Sequence, residues 1–209
     1  MGIYAAWAAT AVAGSLTDGG QATNRLATGT EDGRKRRMDA NERQEILALL
    51  EEGRKALPAA VDGVTGEMAS RIPGPGKWSI LGCVEHVAVS EDYMFSQIGK
   101  ATAAVGPAIN LEREAKMLAR GTDRNRRMES PPEGHPTGAF PTLAGAVEHF
   151  LESRERTIAF VRDCKEDLRA KVTWHPILKE ANSHEMLLSM CVHVLRHVKQ
   201  IEEVKAELA

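Results

Sequence analysis

Residues 192–201 read VHVLRHVKQI, with His193 and His197 four positions apart inside an apolar segment. Four positions is just over one helical turn, so on a helix both rings project from the same face. The stripe continues in both directions. Met186, Met190, His193, His197, Ile201, Val204 and Leu208 follow at steps of three or four, the period of one amphipathic face. Both imidazoles therefore point toward a core that is otherwise apolar. A lone histidine in that setting is ordinarily satisfied by one hydrogen bond. Two at this spacing are also what a metal ion takes from a helix, provided a third ligand comes from elsewhere. The zinc-protease pattern H-E-x-x-H is excluded, because Val194 stands where the glutamate base belongs.

A chain of 209 residues is long enough for one domain with a substantial core. Its 27 basic and 29 acidic residues leave a net charge of −2, which gives no reason to expect a nucleic-acid partner. The basic runs at residues 34–37 and 124–127 read as solvated loop charge. Cys83, Cys164 and Cys191 are too far apart for a disulfide framework or a C-x-x-C site, and each falls in a predicted helix as a small core or flank residue. Strand-like alternation is absent, aromatics are scarce, and Ala, Leu, Glu, Arg and Met dominate. The composition predicts an all-α domain.

Residues 3–13, IYAAWAATAVA, mimic the apolar region and A-x-A ending of a signal peptide, yet the first basic residue is Arg25. The run is too short to span a bilayer. Residues 14–37 are rich in Gly, Thr, Asp and Arg with almost nothing to bury, so residues 1–37 are expected to be a disordered extension and 38–209 the domain. A chain beginning at Met38 is then expected to keep its melting temperature and metal content. A cytoplasmic protein with no membrane partner follows, with export as the alternative if residues 1–13 act as an atypical signal.

Four long amphipathic segments follow. The first spans about residues 42–64, capped by Asp39 or Asn41, with Pro58 expected to kink or divide it. The second opens at Trp78-Ser79, with Ser79 as cap, and continues through Ile98. The third runs from Thr142 to about Leu168. The fourth is introduced by Asn182, with Glu185 in capping-box position, and reaches the carboxyl end. Helices of this length pack as a four-helix bundle. Residues 104–140 are too many for a structureless link. They contain a short helical candidate at 111–119 and the breaker-rich SPPEGHPTGAF at 130–140, a long crossover suited to joining parallel helices and to lying over the bundle as a lid.

Among the remaining histidines, His149 shares its face with Gly145, Glu152, Ser153 and Arg156 and is expected to be exposed. His184 reads as a surface or cap residue, and nothing fixes the pre-proline His135 and His175 near a site. His86 is the best candidate third ligand, since it flanks the apolar arc of Cys83, Val87 and Met94 and can face a neighbouring helix. Glu91 falls within the second segment's apolar arc. A carboxylate buried there needs a partner, either a ligand imidazole's free N–H or Arg196, unless it lies at a bundle end and reaches solvent.

Lys77-Trp78-Ser79-Ile80, His86 within CVEHVA, and the closing His193-x-x-Arg196-His197-x-x-Gln200-Ile201 resemble the DinB-like superfamily of bacterial metal-binding four-helix bundles. The resemblance covers about residues 38–208. It implies one divalent ion, zinc or nickel first and manganese third, held by His86, His193 and His197. It also implies a small-molecule substrate: some relatives are S-transferases using low-molecular-weight thiols, and hydrolysis by the same ligand set is the close variant. A metal-binding structural or stress-response protein without turnover is the alternative, and a homodimer is left open. Three imidazoles leave coordination positions for water or substrate, which distinguishes a catalytic site from a closed structural one. Where relatives often carry a glutamate three residues after the serine, Gly82 stands here, and this is expected to weaken the helix start.

Overall fold

A computed structural model describes residues 37–103, 110–126 and 128–209; the expectations for residues 1–36 lie outside the described residues. Four long helices make the frame: α1 (Ala40–Ala60), α3 (Ile80–Lys100), α5 (Leu143–Asp163) and α6 (Ser183–Leu208), with a short α2 (Gly66–Ser70) between the first two. The helix starts lie where the capping chemistry puts them. Asp39 and Asn182 each close a capping box, with Glu42 and Glu185 respectively, while Ser79 and Thr142 accept from the N–H three residues on. Pro58 sits in the last turn of α1 and does not divide it; the helix ends at Ala60, short of the expected residue 64.

Side-chain contacts fix the directions. Glu85 meets Gly138 and Phe95 meets Phe160, so α3 and α5 run parallel. Ala60 meets Lys205 and Glu42 shares Arg169 with His184, so α1 and α6 run parallel too. His86 opposite His193, with Glu91 and the Met190 carbonyl sharing Arg154, makes α3 antiparallel to α6. The diagonal pairs of the bundle are α1 with α3 and α5 with α6, each consecutive in sequence, while α1 and α3 each pack on both α5 and α6. Only a long crossover joins the parallel α3 and α5, and it carries α4 (Leu111–Arg120) against α6. Two glycines permit close approach: a Cβ on Gly53 would come 2.4 Å from Val194 Cγ1, and one on Gly121 would come 2.4 Å from Val192 Cγ2.

The all-α four-helix bundle holds, with one helix boundary that differs and one added element. The third helix stops at Asp163, leaving Cys164 as its cap and Leu168 in a 3₁₀ turn at Leu168–Ala170. Strands are also present: β1 (Thr102–Ala103), β2 (Lys171–His175) and β3 (Lys179–Asn182) form an antiparallel sheet in the order β1-β2-β3. The burial pattern of β2 and β3 does not alternate, so the period-2 signal that sequence reading relies on is missing. The hairpin folds back along α3, with the Thr173 hydroxyl on Gln97 and the His175 ring beside Tyr93.

The core divides into two apolar clusters, one around Ile46, Leu50, Ile158 and Met186 and the other around Leu57, Val84, Phe150 and Ile201. Between them lies a polar layer. Arg154, fully buried, donates to the Glu91 carboxylate at 2.8 Å and to the Met190 carbonyl at 3.2 Å. Below the first cluster a second buried network joins Glu42, Arg169, Glu114 and His184. His184 is 0% exposed, against the expectation of a surface position; its ring lies 3.2 Å from Glu114 and 3.1 Å from Arg169. No helix among the described residues is long and apolar enough to cross a membrane.

This network sets a pH dependence. Burial alone would raise the Glu114 carboxyl, but His184 and Arg169 together hold it down at about 2. A carboxyl whose folded pKa lies below its unfolded value, near 4.3, stabilises the fold fully above about pH 5, and the contribution fades as pH falls toward 2. The effect is on the order of 3 kcal/mol. Urea midpoints are therefore expected to fall between pH 5 and pH 3 in the wild type and much less in Glu114→Gln. Equal acid sensitivity of the two proteins would contradict the assignment.

Candidate metal centre

His86 stands in the second turn of α3, where the Ser79 cap fixes the helix start: the Gly82 N–H donates to Ser79 Oγ at 3.0 Å. Gly82 leaves Ser79 without a side-chain partner, yet the structure gives a reason for it. A Cβ at that position would lie 3.2 Å from Pro136 Cγ, so any larger residue requires Pro136 to give by a few tenths of an ångström. His193 and His197 project from one face of α6, one turn apart, toward His86.

The three Nε2 atoms converge. His193 Nε2 lies 3.0 Å from His86 Nε2 and 3.1 Å from His197 Nε2, and one ligand atom from each ring falls within 4.8 Å of the others. Bonds of about 2.0–2.1 Å to a central ion place neighbouring ligand nitrogens about 3.0–3.4 Å apart. His86 Nδ1 donates to the Gly134 carbonyl at 2.5 Å, so in the neutral ring Nε2 is a bare lone pair. His197 Nδ1 is buried without a hydrogen-bond partner among the described residues, which leaves Nε2 as that ring's polar outlet. Burial pushes the His86 pKa below its usual value and those of His193 and His197 well below it, and the neighbouring imidazoles push the same way. All three rings are thus neutral at neutral pH, the form that ligates. Three convergent imidazole nitrogens, the one on His86 held as a lone pair by the Gly134 carbonyl, fit a small cation.

One wall of the centre is Trp78, whose ring lies 4.8 Å from His86 and stacks on His197 at 6.2 Å. His135 packs edge-to-face on that tryptophan with ring centroids 5.7 Å apart, and its Nε2 donates to the Ser130 carbonyl. His175 ends β2, and its Nδ1 accepts from the Ile177 and Leu178 N–H groups at 3.1 Å each, leaving the proton on Nε2. Charge on His175 opposes charge on His193, and charge on His135 opposes charge on His86. Both histidines that sequence reading left unplaced therefore border the cluster. His149 does not: it is half-exposed and lies 2.6 Å from Asp92.

Glu91 is interior, but its partners are not those expected. Arg154 and Thr157 engage its two oxygens at 2.8 and 2.9 Å, while Arg196 instead donates to the Asp123 and Arg126 carbonyls. The carboxylate touches no ligand imidazole, which removes it from the site's immediate surroundings. Burial pushes the Cys83 and Cys191 thiols up to about 12, so neither supplies a thiolate at neutral pH. Sequence reading missed Glu85 and Gly134, because only the fold of the crossover gives these residues a role beside His86.

The family model described as the DinB superfamily matches residues 49–201, more than half of the chain. The chain belongs to the DinB superfamily. It is similar to the uncharacterized protein YuaE of Bacillus subtilis (strain 168), 22% identical over 162 residues that cover 78% of this chain and 98% of that protein. Among solved structures it is similar to YfiT from Bacillus subtilis, with a TM-score of 0.55 and 18% identity over 87% of this chain and 95% of that one. YfiT is described as "a probable metal-dependent hydrolase with an unusual four-helix bundle topology". At that identity the likeness speaks for the fold, and the DinB bundle here has the diagonal connectivity derived above.

Proposed function

We propose that the protein is a metal-dependent enzyme in which His86, His193 and His197 hold one divalent ion, zinc or nickel before manganese, and that it hydrolyses a small-molecule substrate. The observation that carries this reading is the convergence of three neutral Nε2 atoms on one point, with His86 and His197 each 7% exposed and His193 more open. A divalent ion bound there supplies Lewis acidity to a nucleophile and to the group under attack. The chain's own residues do the remainder. Gly134 holds the His86 tautomer, Trp78 and residues 130–140 close one side, and the half-buried His193 leaves the centre partly open.

The description of YfiT as "a probable metal-dependent hydrolase" supports water as the nucleophile. A low-molecular-weight thiol, the expectation drawn from the family resemblance, uses the same centre and differs only in the molecule admitted. Zinc-, nickel- or manganese-loaded protein is to be screened against ester and amide substrates, and against a generic electrophile with small thiols. Turnover is expected to require the ion and to vanish in His193→Ala and His197→Ala. Tightly bound ion with no turnover on any arm would favour a structural role; turnover only with thiols would move the assignment to transfer.

A further inference from the structure

The crossover reaches the metal centre through a strap, residues 130–140, that touches α3 by hydrogen bonds at two consecutive residues. Among the described residues the bonds joining strap and α3 are those to Glu85 and to His86. Glu85 is 3% exposed. Its Oε1 accepts from the Thr137 N–H at 2.6 Å, the Gly138 N–H at 2.9 Å, the Ala139 N–H at 3.2 Å and the Thr137 hydroxyl at 3.1 Å. The Gly138 N–H also lies 3.1 Å from Oε2. Successive backbone N–H groups turned onto one anion form a nest, and Gly138, at φ 79°, supplies the left-handed residue that such a turn needs.

Three residues before this nest, the Gly134 carbonyl accepts from His86 Nδ1. Pro136, between the two anchors, seats on the bare face of Gly82. Only His135 and Pro136 separate Gly134 from Thr137, so a shift at one anchor is passed directly to the other. We infer that Glu85 is a positioning residue for the metal centre: its carboxylate latches the strap to α3, which keeps the Gly134 carbonyl on His86 Nδ1 and turns His86 Nε2 to the site. Its effect on the ion rests on the metal-dependent reading above, whereas its effect on the His86 tautomer does not.

Glutamine is the sharp substitution. Its carboxamide has one acceptor oxygen, and its NH2 presents two donors to a nest made of donors, so the latch opens with little change in volume. Nitrogen-15 NMR of the zinc-free protein is expected to show His86 as the Nδ1–H tautomer in the wild type, and as a tautomer mixture in Glu85→Gln. Competition titration against a chromophoric chelator is expected to show zinc binding about 10–100-fold weaker in Glu85→Gln, the usual effect of removing an outer-shell partner. Glu114→Gln, which removes a buried carboxylate from the distant network, is expected to lower stability without either change. If Glu85→Gln does not fold, Gly138→Val tests the same latch, since it strains the nest from a side chain with nothing within 4 Å. An unchanged His86 tautomer in the folded variant would overturn the inference, as would zinc affinity within about twofold of wild type, below the effect expected for such a partner. A wild-type protein that binds no zinc would instead overturn the metal-dependent reading, leaving the tautomer result to decide the latch.

Discussion

Replacing Glu91 with alanine is expected to destabilise the fold by about 3–5 kcal/mol, a large part of the stability of a domain this size. The cause is the cation left behind. Arg154 is 0% exposed, Glu91 is its one carboxylate partner within salt-bridge distance among the described residues, and its Nε and Nη1 already have no hydrogen-bond partner. Burial pushes the Glu91 carboxyl up while Arg154 and Thr157 pull it down, so the pair is held together against a considerable desolvation penalty. Removing both charges is a different experiment. Glu91→Leu with Arg154→Met leaves an apolar layer between two apolar clusters, and Thr157 Oγ keeps its contact with the Ser153 carbonyl at 3.2 Å. The double variant is expected to recover most of the loss, because well-packed apolar replacements of buried ion pairs are often neutral or stabilising. Urea unfolding of the two single variants and the double variant measures the coupling. A single variant costing under about 1 kcal/mol, or a double variant costing the sum of the singles, would contradict this view of the layer. Zinc affinity of folded Glu91→Ala is expected to stay at the wild-type value, since the carboxylate contacts no ligand ring.

The helix frame was legible because capping chemistry and the 3.6-residue period act locally. Ser79 and Asn182 cap where their sequence context predicts, Asp39 is one of the two caps expected for the first helix, the third helix starts beside Thr142, and the His193/His197 stripe faces inward as its neighbours Met190 and Ile201 require. The parallel course of the helices flanking the crossover was legible from its length. The hairpin was not, since Lys171–His175 is partly exposed along its whole length and shows no alternation. His184 was misplaced for a related reason. Its position in the first helical turn suggested solvent, but Arg169 and Glu114 reach it from elements remote in sequence and make a buried polar position tenable. Glu91 was read correctly as interior and incorrectly as to partner: Arg154 lies 63 positions away, on the facing helix, where no periodicity within either helix links them. The same holds for Glu85, whose partners belong to a strap with no regular pattern of its own.

The second large effect concerns the three histidines. Alanine at His193 or His197 removes one nitrogen of the one cluster of three or more metal-binding side chains among the described residues. Loss of a direct ligand is expected to weaken divalent-ion binding by more than about 100-fold, beyond the range seen for outer-shell partners. The variants are not expected to unfold. Trimming a neutral imidazole with no buried counter-charge leaves no uncompensated ion, so urea midpoints are expected to move far less than in Glu91→Ala. The most direct measurement is elemental analysis of zinc-loaded protein after exhaustive dialysis at neutral pH, on the wild type and on His86→Ala, the ligand contributed by a different helix from the other two. About one ion per wild-type chain, lost in His86→Ala, is the expected result. A wild-type chain that dialyses free of zinc, or a His86→Ala protein that keeps its full complement, would contradict the three-histidine centre.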